Sequence, residues 1–254
     1  MTAVGAPCSD AWSMSDDVKD LPAHLRPFVL RHVPGQPERS GDLDLYLPVV
    51  RPAPAVLMIH GGPVSPDRPM GPSAWPAYQA YGALLAEAGL VGAMVEHGFA
   101  DDESLPRARD DVRSALAALR ADPRVDRDRV GLWFFSAGGF LMGSFLEPVA
   151  DGVIAVAGTY AAVGDPELPG LGLVDGTQAI PDSEVPLLLV RLEHDFDWIA
   201  PITDDVLLRC REVGRVVTVI DVPGGHHGFE TIDDTDEAHT AIRDSVSWFA
   251  TVLR

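Results

Sequence analysis

The sequence predicts an α/β protein with a mostly parallel central sheet and helices on both faces. Three observations carry this. Short apolar runs alternate with longer amphipathic stretches in a strand, helix, strand rhythm. Several of the runs, residues 130–135 foremost, are apolar throughout rather than alternating, as expected for strands covered on both faces. Clusters of Gly, His, Asp and Ser follow directly after those runs, at the strand ends where ligands bind in open parallel sheets. With 254 residues, 46% of them hydrophobic, the chain is long enough to bury one sizeable core.

Residues 1–27 are polar and broken by Pro7, Pro22 and Pro27, and read as an irregular N-terminal arm with at most one short helix near 15–21. The domain proper spans 28–254. Residues 28–33 and 43–47 read as strands, with Pro34-Gly35-Gln36-Pro37 and Ser40-Gly41-Asp42 as turn material between them. Leu43, Leu45 and Leu47 alternate with Asp44 and Tyr46, which suggests an antiparallel edge hairpin with one wet face. Residues 55–59 form a buried strand running into His60-Gly61-Gly62-Pro63.

Residues 75–88 are helical, with Pro76 tolerated in the first turn and Gly89 as a C-cap. Residues 91–95 are the next strand, ending at Glu96-His97, and 105–121 an amphipathic helix with Val112, Leu116 and Leu119 on one face. The strand 130–135 leads into a helix reaching about residue 146, and 153–156 is a further strand. Residues 159–185, rich in Pro and Gly and without periodicity, read as a small lid-like loop rather than a large cap domain. Strands at 187–192 and 216–222, a helix at 202–213 and a final helix at 236–253, capped by Asp234 or Thr235, complete the pattern.

A net charge of −19, spread along the chain, disfavours nucleic acid, anionic membrane surfaces and highly anionic substrates. The N-terminus has no apolar core of a signal peptide, and no run approaches the roughly 18 apolar residues of a membrane span. Cys8 and Cys210 read as two reduced thiols, and a cytoplasmic location is the expectation. The oligomeric state is not legible.

The chemistry gathers around Phe134-Phe135-Ser136-Ala137-Gly138-Gly139. A serine between an apolar strand and a glycine-rich helix start is lifted onto a sharp turn, with its Oγ exposed and the helix N-terminus aimed at it. The pattern for such a turn is G-x-S-x-G, and here Phe134 occupies the first small position. Its ring is expected either to need room in a pocket or to distort the turn. Two further clusters end strands: Glu193-His194-Asp195-Phe196-Asp197 and Gly224-Gly225-His226-His227-Gly228-Phe229. The order Ser, Asp, His follows.

On these motifs the chain from about residue 28 resembles the α/β-hydrolase superfamily, within it the compact dienelactone-hydrolase-like and prolyl-oligopeptidase-like esterase branch. His60-Gly61-Gly62-Pro63 is similar to the oxyanion loop of that branch, Ser136-Ala137-Gly138-Gly139 to its nucleophile elbow, and His227-Gly228-Phe229 to its C-terminal histidine. The resemblance implies Ser136 as nucleophile, His227 as its base and Asp195 as the acid orienting the imidazole. It implies an oxyanion site from the Gly61, Gly62 and Ala137 backbone; Pro63 has no N–H to offer. Asp197 competes with Asp195, and His226 with His227. Glu96 and His97 also end a strand and read as a rim or structural pair.

Trp75, Phe99, Phe134, Tyr160, Trp198 and Phe229 are the aromatic candidates for a substrate pocket. No metal is expected from His226, His227, Asp233, Asp234 and Asp236, whose spacing matches no ligand signature, and no cofactor motif is present. The implied partner is a small ester-like molecule: a carboxylic ester, lactone or thioester. The same triad serves peptidases and biosynthetic acyl transfer or cyclisation, and an impaired elbow at Phe134 would leave a binding scaffold without catalysis.

Overall fold

A computed structural model describes residues 18, 20–30, 36–146, 152–164 and 171–254. Eight strands form one sheet: β1 (Glu38–Ser40), β2 (Leu43–Tyr46), β3 (Ala53–Ile59), β4 (Val91–Val95), β5 (Val125–Phe135), β6 (Ala155–Thr159), β7 (Leu187–His194) and β8 (Thr218–His226). Their spatial order is β1-β2-β4-β3-β5-β6-β7-β8. β2 pairs antiparallel with both β1 and β4, and every pair from β4 onward is parallel. Among the described residues run the α-helices α1 (Pro76–Glu87), α2 (Leu105–Ala121), α3 (Gly176–Asp182), α4 (Ile199–Glu212), α5 (Phe229–Ile232) and α6 (Asp236–Val252).

Alternation along the strands feeds two cores. In β5, Val130, Leu132 and Phe134 join the layer that holds α2 and α4, while Trp133 and Phe135 join the layer beneath α1 and α6. β5 therefore reads as continuously apolar because neither face is wet. α6 starts where Thr235 Oγ1 accepts the Ala238 N–H, a side-chain cap at one of the two residues, Asp234 or Thr235, expected for it.

The N-terminal strand of the edge hairpin lies later than its hydrophobicity suggested. β1 occupies Glu38–Ser40, and Gly41, at φ 58°, makes the turn into β2. Residues 28–30 form no strand, and the rest of the expected strand, 31–33, lies outside the described residues, as do Cys8 and most of the N-terminal arm. The apolar 28–30 segment caps the core: Phe28 meets Tyr81 edge-on, Leu30 is buried, and the Val29 N–H donates to the Glu230 carbonyl. Burial of its side chains outweighed the sheet propensity of the segment.

The expected lid region, 159–185, is also built differently in its described parts. It contains α3, initiated by Asp175 accepting the Thr177 N–H. Gly143 lies so close to this segment that a Cβ there would stand 2.2 Å from the Val174 carbonyl oxygen. Residues 171–185 thus pack behind the helix that follows Ser136, with Ile180 and Val185 buried, instead of covering it.

Candidate active site

The site is assembled at the carboxyl ends of β5, β7 and β8. Ser136 follows β5 directly and has φ 51°, a left-handed conformation that a non-glycine residue adopts only under constraint from its surroundings. The constraint is visible in the glycines. A Cβ at Gly138 would stand 2.5 Å from the His60 carbonyl oxygen, and one at Gly61 would stand 2.7 Å from the Ser136 Cβ. Only hydrogen at these two positions lets the His60 loop and the Ser136 turn touch. The segment Ser136–Phe145 is a 3₁₀ helix, tighter than the α-helix its sequence suggested.

β7 and β8 bring the other two groups together. His194 and His226 are register partners past an irregularity at residue 193, and so Asp195 and His227 leave adjacent strands side by side. Ser136 Oγ lies 2.8 Å from His227 Nε2, and His227 Nδ1 lies 2.6 Å from Asp195 Oδ1. An ionised carboxylate only accepts, which places the imidazole proton on Nδ1 and leaves the Nε2 lone pair for the serine O–H. The Asp195 side chain is 4% exposed and also accepts the Phe196 N–H at 2.8 Å. The relay runs unbroken from a buried carboxylate to a strained serine.

The competing residues lie outside the relay. Asp197 is exposed and makes no contact in the relay. His226 turns away to Asp233, which its Nδ1 meets at 3.0 Å and whose other oxygen accepts the His226 N–H at 2.7 Å. His239 pairs with Asp234, and among the described residues no three His, Cys, Asp or Glu side chains are grouped to hold a metal ion.

Residues 43–146, from β2 through the Ser136 helix, match the family model described as BD-FAE. No curated protein is detectably similar in sequence. Among solved structures, a bacterial heroin esterase superposes with TM-score 0.67 at 19% identity, covering 94% of this chain and 88% of that one. Carboxyl esterase 2 from the mycorrhizal fungus Tuber melanosporum gives TM-score 0.64 at 20% identity over 84% and 83%. Thermogutta terrifontis esterase 2, phosphoramylated by tabun, gives 0.65 at 16% over 82% and 88%. The chain has the α/β-hydrolase fold.

The loop after β3 faces the Ser136 turn and is locked by a histidine pair. His60 Nδ1 lies 2.6 Å from the Gly61 carbonyl oxygen, and His60 Nε2 accepts the His97 N–H at 3.3 Å. The two imidazoles stack with centroids 3.7 Å apart, and His97 Nε2 meets the His60 carbonyl at 3.0 Å. Glu96 fastens the next loop by accepting from the Ser73 N–H and hydroxyl. Burial pulls the His60 imidazole down from 6.5 to about 4 and His97 well below its usual value.

A histidine in the unfolded chain takes up a proton as the pH drops below 6.5, whereas buried His60 stays neutral until about 4. Stability present above that window is therefore lost through it, by up to about 3 kcal/mol for His60, and His97 acts in the same direction. Urea midpoints measured from pH 7 downward are expected to fall over this range, with a shallower fall in His60→Asn.

Of the three backbone groups expected around an oxyanion, Gly61 is otherwise engaged: its N–H donates to the Tyr78 hydroxyl at 3.2 Å. Its contribution is close approach rather than donation. Gly62 and Ala137 remain, the latter as an early residue of the Ser136 helix whose amide has no acceptor within that helix. Gly62 admits the ring of Phe99 beneath it, which a Cβ would meet at 2.6 Å.

A cavity of about 240 Å³ opens beside Ser136 and His227. Of the aromatic candidates Trp75 and Tyr160 line it, together with Tyr78, Glu230, His24 and Arg68, which sequence reasoning missed. The other aromatic candidates lie elsewhere. Phe229 is buried behind Tyr160, which it meets edge-on, Phe99 supports the Gly62 loop, and Trp198 is exposed against Phe140. The missed Phe196 stacks on His227 with centroids 4.2 Å apart, and Tyr160 meets the same imidazole at a tilt at 4.5 Å, so two rings pack against it.

Phe134 does not line the cavity beside Ser136. Strand alternation sends its ring away from the site into the core, fully buried and 5.9 Å from Phe145. Phe134→Gly is accordingly expected to lower unfolding free energy by at least about 3 to 5 kcal/mol, the usual cost of emptying a buried phenyl site. It should give no gain in turnover per folded molecule, as read by urea denaturation beside an ester assay.

Proposed function

We propose that the protein is a serine hydrolase that cleaves a small carboxylic ester, lactone or thioester through an acyl-enzyme. Ser136 attacks the carbonyl while His227 takes its proton, and Asp195 stabilises the imidazolium that results. His227 then returns the proton to the leaving alcohol, and a water activated by the same imidazole releases the acid. Gly62 and Ala137 amides stabilise the tetrahedral oxyanion, a contribution worth about 3 to 4 kcal/mol per donor in such sites.

The observation that carries this reading is the relay of two short hydrogen bonds, 2.8 Å and 2.6 Å, ending on a serine at φ 51° at the mouth of a cavity. An exposed serine in an ordinary turn needs neither the strained backbone nor a buried carboxylate behind its histidine. The similarity to an esterase captured as its phosphoramylated form agrees with a nucleophile of this kind.

Labelling with a fluorophosphonate probe, followed by peptide mapping, tests it. Modification at Ser136 that disappears in His227→Ala is the expected result. A folded protein that resists the probe, or that reacts equally well without His227, would contradict the activated serine.

A further inference from the structure

The walls of the cavity beside Ser136 hold polar groups that the relay does not use. Glu230, 4% exposed, lies on α5 three residues after His227. Its Oε1 accepts the Tyr160 hydroxyl proton in a short hydrogen bond, and its Oε2 is buried without a partner. Tyr78 is equally buried. Its hydroxyl oxygen accepts the Gly61 N–H, which leaves its own proton to donate. Trp75, 9% exposed, carries a buried indole N–H with no acceptor. All of these residues line the one cavity.

A buried acceptor and a buried donor left unmatched in residues that line one cavity are groups for which the chain itself supplies no partner. A carboxyl group is among the costliest side chains to bury, and orienting the Tyr160 hydroxyl requires only one of its oxygens. Burial pushes the Glu230 carboxyl up from its usual value. The Tyr78 and Tyr81 hydroxyls are pushed up as well, burial being the larger cause and the Glu230 charge a further one, and Tyr78 and Glu230 line the same cavity.

We propose that this cavity is a subsite for a hydroxyl group of the substrate, held between the Glu230 carboxyl and the Tyr78 hydroxyl, and that the protein selects hydroxylated esters over their deoxy counterparts. The inference rests on the ester-hydrolase reading and adds the substrate class to it. A hydroxyl is the group that both donates to Glu230 and accepts from Tyr78 or Trp75. An ammonium group would suit Glu230 but leave the donors unmet, and it would share the cavity with the Arg68 guanidinium, which sits 5.4 Å over the Trp75 ring. A carboxylate would suit the donors and meet Glu230 with like charge. An ester without the hydroxyl would leave the buried groups unpaired, which is how a site built for hydrogen bonding rejects a deoxy analogue.

The test compares kcat/KM for matched pairs differing by one hydroxyl: p-nitrophenyl 3-hydroxybutyrate against the butyrate for the acyl side, and 2-hydroxypropyl butyrate against propyl butyrate for the alcohol side. Each rate is divided by its hydroxide-catalysed rate. In one of the two series the hydroxylated member is expected to be preferred by at least about tenfold. The ratio should fall to about one in Glu230→Leu and be partly kept in Glu230→Gln. Where Glu230→Leu does not fold, Tyr78→Phe serves, with a reduced ratio expected.

Wild-type ratios near one in both series would overturn the proposal. So would a ratio unchanged in Glu230→Leu while both members of the pair slow together, since Glu230 would then only support Tyr160. A preference for a 3-aminobutyrate ester over the 3-hydroxybutyrate ester would overturn the choice of a hydroxyl. Failure of the hydrolase reading itself shows separately, as absence of fluorophosphonate labelling at Ser136.

Discussion

Ser136→Ala is expected to lower kcat by about six orders of magnitude while leaving the protein folded. The magnitude follows from how a serine, histidine and aspartate act as a unit. In the proposed mechanism, loss of the serine removes the acyl-enzyme route entirely, and what survives is the acceleration from binding and oxyanion contacts alone. His227→Ala should cost about as much, and the double variant scarcely more than either single one. Stability is a separate matter. The strain at φ 51° belongs to the backbone and is imposed by the packing of Gly61 and Gly138 against the turn, so alanine inherits it unchanged. The Oγ contributes one hydrogen bond, to a partly buried imidazole, and its loss should change unfolding free energy by no more than about 1 kcal/mol. Steady-state kinetics on enzyme quantified by folded fraction, beside thermal unfolding, reads both quantities. Turnover within tenfold of wild type in a folded Ser136→Ala protein would remove the serine from the mechanism.

Legibility in the sequence was uneven for physical reasons. β4 and α2 were readable to the residue because their apolar pattern and end signals coincide: a run of five buried residues in one, a 3.6-residue stripe in the other. Residues 28–30 misled because apolar character reports burial and not the kind of element that is buried. The segment closes one end of a core and hydrogen-bonds to Glu230 instead of joining the sheet. Phe134 misled for a related reason. A motif position says where a residue sits in the chain, and the alternation of β5 decides which face its ring takes.

The convergence of Ser136, Asp195 and His227 was legible because each directly follows a strand, and strand ends of a parallel sheet converge. Glu230, Tyr78 and Arg68 were not. They come from a one-turn helix, the face of α1 and a loop, and nothing local to any of them announces a shared cavity. The i, i+3 spacing of Trp75 and Tyr78 was the available clue, since it places both on one face at the start of α1.

Asp195→Asn should reduce kcat by about four orders of magnitude, whereas Asp197→Asn should stay within about threefold of wild type. The two acids are two residues apart on one loop and are chemically identical, so the contrast isolates geometry. Asp195 faces His227 Nδ1 at 2.6 Å from a nearly dry position, and Asp197 is in water. Asparagine fits the Asp195 site sterically but can turn its NH₂ toward Nδ1. The imidazole then carries its proton on Nε2, the nitrogen that must accept from Ser136, and the base is lost although every atom is close to its place. A wrong tautomer of this kind has cost about 10⁴ in a serine protease with the same relay, and the imidazolium formed during attack also loses its compensating charge. Alanine at the same position would blur the result by opening a hole beneath the ring. The pair of asparagine variants, assayed with one ester and checked by circular dichroism, therefore separates the roles cleanly. A large loss at Asp197 with little at Asp195 would mean that the loop rearranges when substrate binds and that the buried carboxylate serves the fold, not the imidazole.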